Sequence, residues 1–172
     1  MNRYLLIIFI FFSQPIFAQN SWDPTPEKSK PRLARFTASI DSVVCNNESL
    51  KGKTVYINFW HAACPPCVSE FDALNLLYKK LKGADNFEFI SFTYESSDVI
   101  EILIAKYNIK YPIYSMPKED LKKLSLGKGF PTSMVVNSKG EIVYMKVGGN
   151  SDKKLAKEII MKEIYPAILK TL

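Results

Sequence analysis

The sequence predicts a single α/β domain in which helices pack on a central sheet. Segments with the periodicity of strands and of helices alternate from Leu33 to the end of the chain, which is typical of this class. The 172 residues suit one compact domain, and 47% hydrophobic residues are enough for a buried core. The composition therefore excludes a disordered, collagen-like or coiled-coil protein.

Charge and cysteine content exclude further classes. The chain has 23 Lys and Arg against 17 Asp and Glu, a formal charge of +6, but its lysines are scattered rather than gathered in one basic tract. This distribution does not favour binding to nucleic acid. Three cysteines and one histidine are too few for a disulfide-dense small protein or for most zinc sites, so we expect no cofactor.

Residues 1–18 have the pattern of a secretory signal peptide. Arg3 precedes eight consecutive apolar residues, 5–12, and Ala18 offers a small residue for cleavage. An apolar run of this length falls well short of the roughly 20 residues of a spanning helix. We therefore expect export to the periplasm or another extracytoplasmic space, no stable membrane insertion after cleavage, and surroundings that permit disulfides.

Residues 19–32 are predicted to be a flexible tether, because they include Asp23-Pro24-Thr25-Pro26 and lack an apolar period. The folded domain is predicted to span residues 33–172. Its first part, residues 35–45, can form an extended segment followed by the turn residues Asn46 and Asn47. We expect this segment to be an extended or hairpin addition at the N-terminus of the domain.

Residues 53–60 are nearly all β-branched, aromatic or apolar, as in a strand buried on both faces. A helix is predicted to follow and to end near Gly83, because apolar residues recur mostly at spacings of three and four: Val68, Phe71, Leu74, Leu77, Tyr78 and Leu81. Residues 87–93 form a second buried strand.

The next helix is predicted to begin at Asp98, which forms a capping-box pattern with Glu101, and to run towards Tyr107. Residues 111–115 then read as a short strand and residues 118–126 as a short helix.

The last elements are a hairpin and a helix. Residues 133–137 and 141–147 have strand patterns, and Ser138-Lys139-Gly140 between them is a hairpin signature. Asp152 is predicted to start the final amphipathic helix, which Pro166 should end or kink near Tyr165.

Cys64 and Cys67 carry the predicted chemistry. They form a C-x-x-C pair directly after a buried strand, at the start of a helix. The helix N-terminus offers unpaired N–H groups and the positive end of the dipole, both of which stabilise a thiolate. Pro65 and Pro66 fall where first-turn N–H groups lack partners anyway. The pattern predicts dithiol–disulfide exchange, with Cys64 as nucleophile and Cys67 as the resolving cysteine.

Two other interpretations of this motif are open. A static structural bridge is disfavoured because so short a loop removes little chain entropy. A metal site at His61, Cys64 and Cys67 is disfavoured because two adjacent prolines suit a metal-binding turn badly and no second histidine is present.

The segments Ile57-Asn58-Phe59-Trp60, Cys64-Pro-Pro-Cys67 and Gly129-Phe-Pro-Thr132 resemble the thioredoxin superfamily, and more narrowly its exported TlpA/ResA-like thiol–disulfide oxidoreductases. The resemblance implies a thioredoxin-like fold with a central mixed sheet flanked by helices. It implies a dithiol that reduces or exchanges disulfides of extracytoplasmic proteins, in some members during cytochrome c maturation, and that receives electrons from a membrane thiol-redox donor. Residues 87–115 resemble the β-α insertion of this branch.

The resemblance also implies a substrate groove at Trp60, Phe130, Pro131 and Thr132. In thioredoxins the proline that matches Pro131 is cis and lies against the active cysteines. The backbone of the residue before it, here Phe130, pairs with an extended substrate.

Glu70 and Asn58 resemble the TlpA/ResA branch more than cytosolic thioredoxin. Thioredoxins have a buried acid where this chain has Asn58, whereas Glu70, three residues after Cys67, matches the active-site glutamate of the branch. A carboxylate there can accept the Cys67 proton, and burial would raise its pKa. The alternative is an ordinary glutamate on the exposed face of the helix.

Several residues depart from the family pattern. Many relatives have Trp where this chain has Ala63, His61 is unusual and expected to be exposed, and Cys45 is expected to be a small buried residue. A peroxiredoxin-like peroxidase is disfavoured, because position 61 is not Thr and the arginines at 32 and 35 precede the fold. A non-catalytic binding or metallochaperone domain is the other alternative.

Overall fold

The fold is built on one central sheet. A computed structural model describes residues 30–40 and 43–172; the predicted signal peptide (1–18) and residues 19–29 of the predicted tether lie outside the described residues. Within that part, seven strands form one mixed sheet in the order β2-β1-β5-β4-β3-β6-β7. They are β1 Thr37–Ile40, β2 Val43–Asn46, β3 Thr54–Phe59, β4 Phe87–Thr93, β5 Ile113–Ser115, β6 Thr132–Val136 and β7 Ile142–Val147.

Helices cover both faces of this sheet. The described helices are α1 Pro65–Leu81, α2 Ser97–Tyr107, α3 Lys118–Leu124, α4 Lys153–Ile159 and α5 Tyr165–Leu169. Leu74, Ile100 and Ile160 join α1, α2 and the C-terminal helices in one apolar core, while Leu121 of α3 belongs to a second core on the other face. The predicted class, a mixed sheet flanked by helices, is confirmed.

Strand direction brings the carboxyl ends of the central strands to one edge. β3 and β4 are parallel, with Phe59 opposite Phe92, and β6 runs antiparallel to β3, with Thr132 opposite Phe59. The chain that leaves β3 therefore lies beside the chain that enters β6, because neighbours in an antiparallel pair stay neighbours just beyond its end.

The N-terminal addition is a hairpin rather than one extended segment. β1 pairs antiparallel with β2, with Ala38 opposite Cys45, so the chain reverses between the two strands. The Asn47 side chain ties the base of this hairpin, accepting from the Phe36 N–H at 2.9 Å and donating to the Ala34 carbonyl at 3.1 Å. Cys45, within β2, is buried, as predicted.

The last residues of the predicted tether are paired with the β6–β7 hairpin. The Pro31 carbonyl accepts from the Ile142 N–H at 2.8 Å, and the Leu33 N–H donates to the Gly140 carbonyl at 3.0 Å. Residues 31–33 are thus held against the edge of the sheet.

Three helices differ from the sequence prediction. α3 ends at Leu124 rather than at residue 126. The cap of α2 is Ser96, and Asp98 lies inside the first turn, where a carboxylate still favours the helix dipole. Pro166 does not end the final helix. A π turn, Ile160–Ile164, precedes it, and the helix continues as α5 because the wider turn accommodates a residue without an N–H.

None of the helices in the described residues is both long enough and apolar enough to cross a bilayer.

Candidate active site

The loop between β3 and α1 is held on three sides. The Trp60 N–H donates to the Phe92 carbonyl at 3.1 Å, and the Cys64 N–H donates to the His61 carbonyl at 3.2 Å. Between them, the Ala62 N–H donates to the Glu95 carboxylate at 2.7 Å. These three backbone N–H groups therefore have partners, and the loop before Cys64 is held by β4 and by the residue Glu95 that follows it.

Cys64 and Cys67 are joined by a disulfide at the N-terminus of α1. Cys64 is the N-cap of the helix, its sulfur accepts from the Cys67 N–H at 3.3 Å, and Pro65 and Pro66 occupy the first turn. Cys64 is 5% exposed and Cys67 1% exposed, so Cys64 is the more accessible residue of the pair. An attacking thiolate reaches the outer sulfur first, and the helix dipole stabilises a thiolate at that position.

Glu70 lies on α1 one turn after Cys67 and is only 2% exposed. Burial raises the pKa of its carboxyl to about 8, because the charged form loses its hydration. Within the described residues, its Oε2 atom has no hydrogen-bond partner. Glu70 is thus not on the exposed face of the helix, and in this disulfide-bonded form its carboxyl is mostly neutral at pH 7.

Pro131 and Thr132 lie beside the cysteine loop. The Phe130–Pro131 peptide bond is cis, and the Pro131 carbonyl accepts from the Gly148 N–H at 2.8 Å. Because Thr132 is opposite Phe59, Pro131 lies beside Trp60, where β3 ends. The sheet register therefore brings the two motifs together, although 66 positions separate Cys64 from Phe130 in the sequence.

The four residues of the predicted groove differ in accessibility. Trp60 and Thr132 are both 0% exposed; Trp60 packs edge-to-face on Phe71, and Thr132 donates to the Gly129 carbonyl at 2.6 Å. Their side chains are therefore not available at the surface. Phe130 is only partly buried, so among these four it offers the accessible side chain.

An aromatic cluster next to the cysteine loop was missed by the sequence analysis. The His61 ring stacks on Tyr94 with centroids 5.7 Å apart and meets the edge of Phe130 at 5.0 Å. Lys118 Nζ lies 5.3 Å from the centroid of the Tyr94 ring. His61 is therefore half-buried rather than exposed. The sequence could have predicted this cluster, because Tyr94 directly follows β4 and therefore lies at the same edge of the sheet as the cysteine loop.

The described residues contain no group of three His, Cys, Asp or Glu side chains that could hold a metal ion. The side chains that meet at the cysteine loop are instead a disulfide, a buried carboxyl and aromatic rings. That set suits thiol–disulfide exchange, in which sulfur atoms exchange bonds and a carboxyl carries a proton.

Residues 26–160, more than three quarters of the chain, match the Redoxin family. The chain belongs to the Redoxin family. Among the curated relatives, thiol-disulfide oxidoreductase ResA of Bacillus thuringiensis (strain Al Hakam) is 31% identical over 121 residues, which cover 69% of this chain and 68% of ResA. Sporulation thiol-disulfide oxidoreductase A of Bacillus subtilis (strain 168) is 28% identical over 163 residues, or 90% of this chain and 96% of that protein.

A solved structure agrees with these Redoxin relatives. The crystal structure of StoA from Bacillus subtilis matches with a TM-score of 0.59 at 26% identity, covering 73% of this chain and 96% of StoA. The resemblance to the TlpA/ResA-like branch of the thioredoxin superfamily is confirmed. This Redoxin protein is a thiol–disulfide oxidoreductase.

Proposed function

We propose that the protein is exported and reduces disulfides in extracytoplasmic proteins, with Cys64 as nucleophile and Cys67 as the resolving cysteine. The observation that carries this proposal is the Cys64–Cys67 disulfide at the start of α1, one helical turn from the buried Glu70. A structural bridge would not need a buried carboxyl beside it, since burying an unpaired carboxyl disfavours folding.

The first half of the reaction forms a mixed disulfide. The Cys64 thiolate attacks one sulfur of the substrate disulfide, a new S–S bond forms, and the other substrate sulfur leaves as a thiolate that takes a proton from water. The dipole of α1 and the Cys67 N–H, which points at the Cys64 sulfur, stabilise the attacking thiolate.

The second half releases the product. Cys67 gives its proton to the Glu70 carboxylate and attacks the Cys64 sulfur, which forms the Cys64–Cys67 disulfide and expels the second substrate thiolate. Two electrons have then passed to the substrate. A pKa of about 8 for Glu70 is close to the ordinary value of a thiol, so the proton can move in either direction.

A membrane thiol-redox donor would return the enzyme to its dithiol form. One donor thiolate attacks the Cys64 sulfur and forms a mixed disulfide, and Cys67 leaves as a thiolate that recovers the proton from Glu70. The second donor thiol then gives its proton to water and attacks the donor sulfur of this mixed disulfide, which closes the donor disulfide and releases Cys64 as a thiolate. The same residues thus serve both half-reactions, in opposite directions.

Trp60, Pro131 and Thr132 are proposed to shape the substrate groove, and Phe130 to border it with an accessible ring. The backbone before Pro131 would pair with an extended substrate segment. We further propose that the protein acts in cytochrome c maturation, a role supported by the position and burial of Glu70. Its substrate would be an oxidised C-x-x-C-H segment, the attachment site of c-type haem.

Trapping tests the proposal. Cys67→Ser, prepared in reduced form, should accumulate a mixed disulfide through Cys64 with an oxidised C-x-x-C-H peptide, whereas Cys64→Ser should accumulate none. Cys45→Ser, which removes the buried cysteine far from the motif, is the matched control and should turn over normally. Equal trapping by both variants, or by neither, would overturn the assignment of the two cysteines. Equal turnover of the peptide and of oxidised insulin would withdraw only the role in cytochrome c maturation.

A further inference from the structure

The segment between β7 and α4, residues 148–151, is fixed at both ends near Glu70. At one end, the Gly148 N–H donates to the Pro131 carbonyl at 2.8 Å. At the other end, the Ser69 hydroxyl donates to the Ser151 carbonyl at 2.8 Å. We call residues 148–151 the strap, since it joins the Pro131 loop to α1 at the residue next to Glu70.

Gly149, inside the strap, lies directly against the Glu70 carboxyl. A Cβ atom added at Gly149 would lie 2.5 Å from Glu70 Oε1, 3.3 Å from Glu70 Cδ and 2.8 Å from Pro131 Cγ. Real Cβ atoms essentially never come within 3.0 Å of another heavy atom. A side chain here would therefore displace the carboxyl, the proline ring or the strap.

The backbone conformation at position 149 does not require a glycine. Gly148 has a φ of 81°, in the left-handed region that favours glycine, but Gly149 is not among the residues with positive φ. The absence of a side chain at position 149 is therefore required by space alone, and the neighbour that limits the space most is the Glu70 carboxyl.

The carboxyl has few other groups to control its ionisation. The titratable groups that act on it are Tyr56 from β3 and Tyr111 before β5, and burial raises the pKa of both tyrosines, so neither carries charge at neutral pH. Cys67, one turn earlier on the same helix, is held in the disulfide. Asp72 of α1 pairs with Lys153 of α4 at 2.9 Å on the surface. What sets the proton affinity of Glu70 is thus its exclusion from water, and Gly149 forms one wall of that enclosure.

We propose that Gly149 is a positioning residue whose bare Cα lets the strap close on Glu70 and holds the carboxyl where it exchanges a proton with Cys67. This inference rests on the role proposed above for Glu70 and adds a residue that acts through it. Gly149 itself touches neither sulfur nor substrate in the proposed reaction.

Gly149→Ala tests the inference, with Gly83→Ala as the matched control, because a Cβ at Gly83 meets nothing within 4 Å. The first measurement is the Glu70 carboxyl titration by carbon NMR of the oxidised protein, with Glu70→Gln identifying the signal. Gly149→Ala should lower the pKa of Glu70 by about one unit or more, because a displaced carboxyl regains water. Gly83→Ala should leave the titration unchanged.

The second measurement is the rate of mixed-disulfide resolution across pH 5–10. Gly149→Ala should slow resolution roughly 10²-fold near neutral pH, as expected for a proton acceptor moved by about 1 Å. In a Glu70→Gln background the same substitution should change the rate less than about twofold, since the two changes act through one group.

Three outcomes would overturn the inference. One is an unchanged Glu70 titration in folded Gly149→Ala. Another is a slowing that persists fully in the Glu70→Gln background, which would assign the contact to Pro131 instead. Should Gly149→Ala not fold, Ser69→Ala frees the other end of the strap without adding an atom, and an unchanged Glu70 titration there counts equally against the inference. If Glu70→Gln alone resolves normally, the proposed role of Glu70 fails, while the titration still reports on the strap.

Discussion

Glu95 accepts a hydrogen bond at 2.7 Å from the backbone N–H of Ala62, two residues before Cys64. Glu95 is itself held, because its N–H donates to the Thr93 hydroxyl at 3.3 Å and its carbonyl accepts from the Ser115 hydroxyl at 2.7 Å. The end of β4 and the start of the cysteine loop are therefore connected through one carboxylate. This connection makes the loop after β4 part of the site.

We expect Glu95→Ala to loosen the cysteine loop. A hydrogen bond to a charged acceptor contributes about 1.5–3 kcal/mol, and its loss corresponds to roughly 10- to 150-fold more frequent local opening. Amide hydrogen exchange at Ala62 should accelerate by that factor, while amides in the middle of β3 should keep their protection. Glu119→Ala, at an exposed position in α3, is the matched control. Unchanged exchange at Ala62 would show that the bond does not hold the loop.

The buried Glu70 should make stability depend on pH. Its ordinary pKa of 4.5 applies in the unfolded chain, and burial raises it to about 8 in the fold. Between these values the unfolded chain releases the proton while the folded one keeps it, so stability falls as pH rises. One proton corresponds to about 1.4 kcal/mol per pH unit, and the loss levels off above the folded pKa.

Urea unfolding of the oxidised protein between pH 5 and pH 8 measures this slope. The free energy of unfolding of Glu70→Gln should fall less steeply with pH than that of the parent, by the slope that nearly one proton produces, because the amide does not ionise. The other titrating groups contribute equally to both proteins and cancel in the difference. Glu101→Gln, at an exposed position of α2, should keep the parent slope. Parallel curves for parent and Glu70→Gln would mean that the carboxyl is hydrated in solution.

The position of the two cysteines in the fold could be predicted from the sequence because several local patterns agree. A buried strand, a C-x-x-C pair and two prolines all place Cys64 at a strand end and a helix start, and the structure has it as the N-cap of α1. The distant Pro131 was placed by resemblance, and the register of β6 against β3 explains why the two motifs meet.

Other contacts could not be predicted because they depend on packing between distant segments. Gly149 gives no periodic signal, and its importance appears only where β7 and α4 bring it against Glu70. The bond from Ala62 to Glu95 joins two loops 33 positions apart. Pro166 does not end the helix, because a π turn precedes it at Ile160–Ile164, and no local propensity encodes that turn.

The aromatic cluster of His61, Tyr94 and Phe130 should affect protein substrates more than small ones. His61→Ala removes the ring that meets the edge of Phe130 and stacks on Tyr94. Aromatic pairs contribute about 0.5–1.5 kcal/mol each, so a peptide disulfide that rests on Phe130 should react roughly 2- to 10-fold more slowly. Reduction of a small disulfide such as hydroxyethyl disulfide should stay within about twofold.

His61→Phe is the informative control for this cluster, since it keeps a ring of similar size without the imidazole. It should restore the peptide rate. Equal losses on both substrates would instead place the effect on Cys64 itself, and a defect in His61→Phe as large as in His61→Ala would assign the role to the imidazole rather than to the ring contact.

Glu70→Gln separates the two halves of the proposed reaction. The amide keeps the shape of the carboxyl but cannot accept the Cys67 proton. Formation of the mixed disulfide through Cys64 should survive, because that step does not use Glu70. Resolution by Cys67 should slow by roughly 10²–10⁴-fold at neutral pH, as is typical of a lost general base. Stopped-flow mixing of the reduced enzyme with a fluorescent peptide disulfide measures both steps.

The pH dependence of that defect distinguishes a proton acceptor from a packing residue. Above the ordinary thiol pKa Cys67 ionises without help, so the difference between parent and Glu70→Gln should shrink steadily towards pH 10. A glutamate that only supported the packing of α1 would give a defect of constant size at every pH. Nearly unchanged resolution throughout would leave the oxidoreductase in place and remove Glu70 from its mechanism, because Cys67 would then have to lose its proton directly to water.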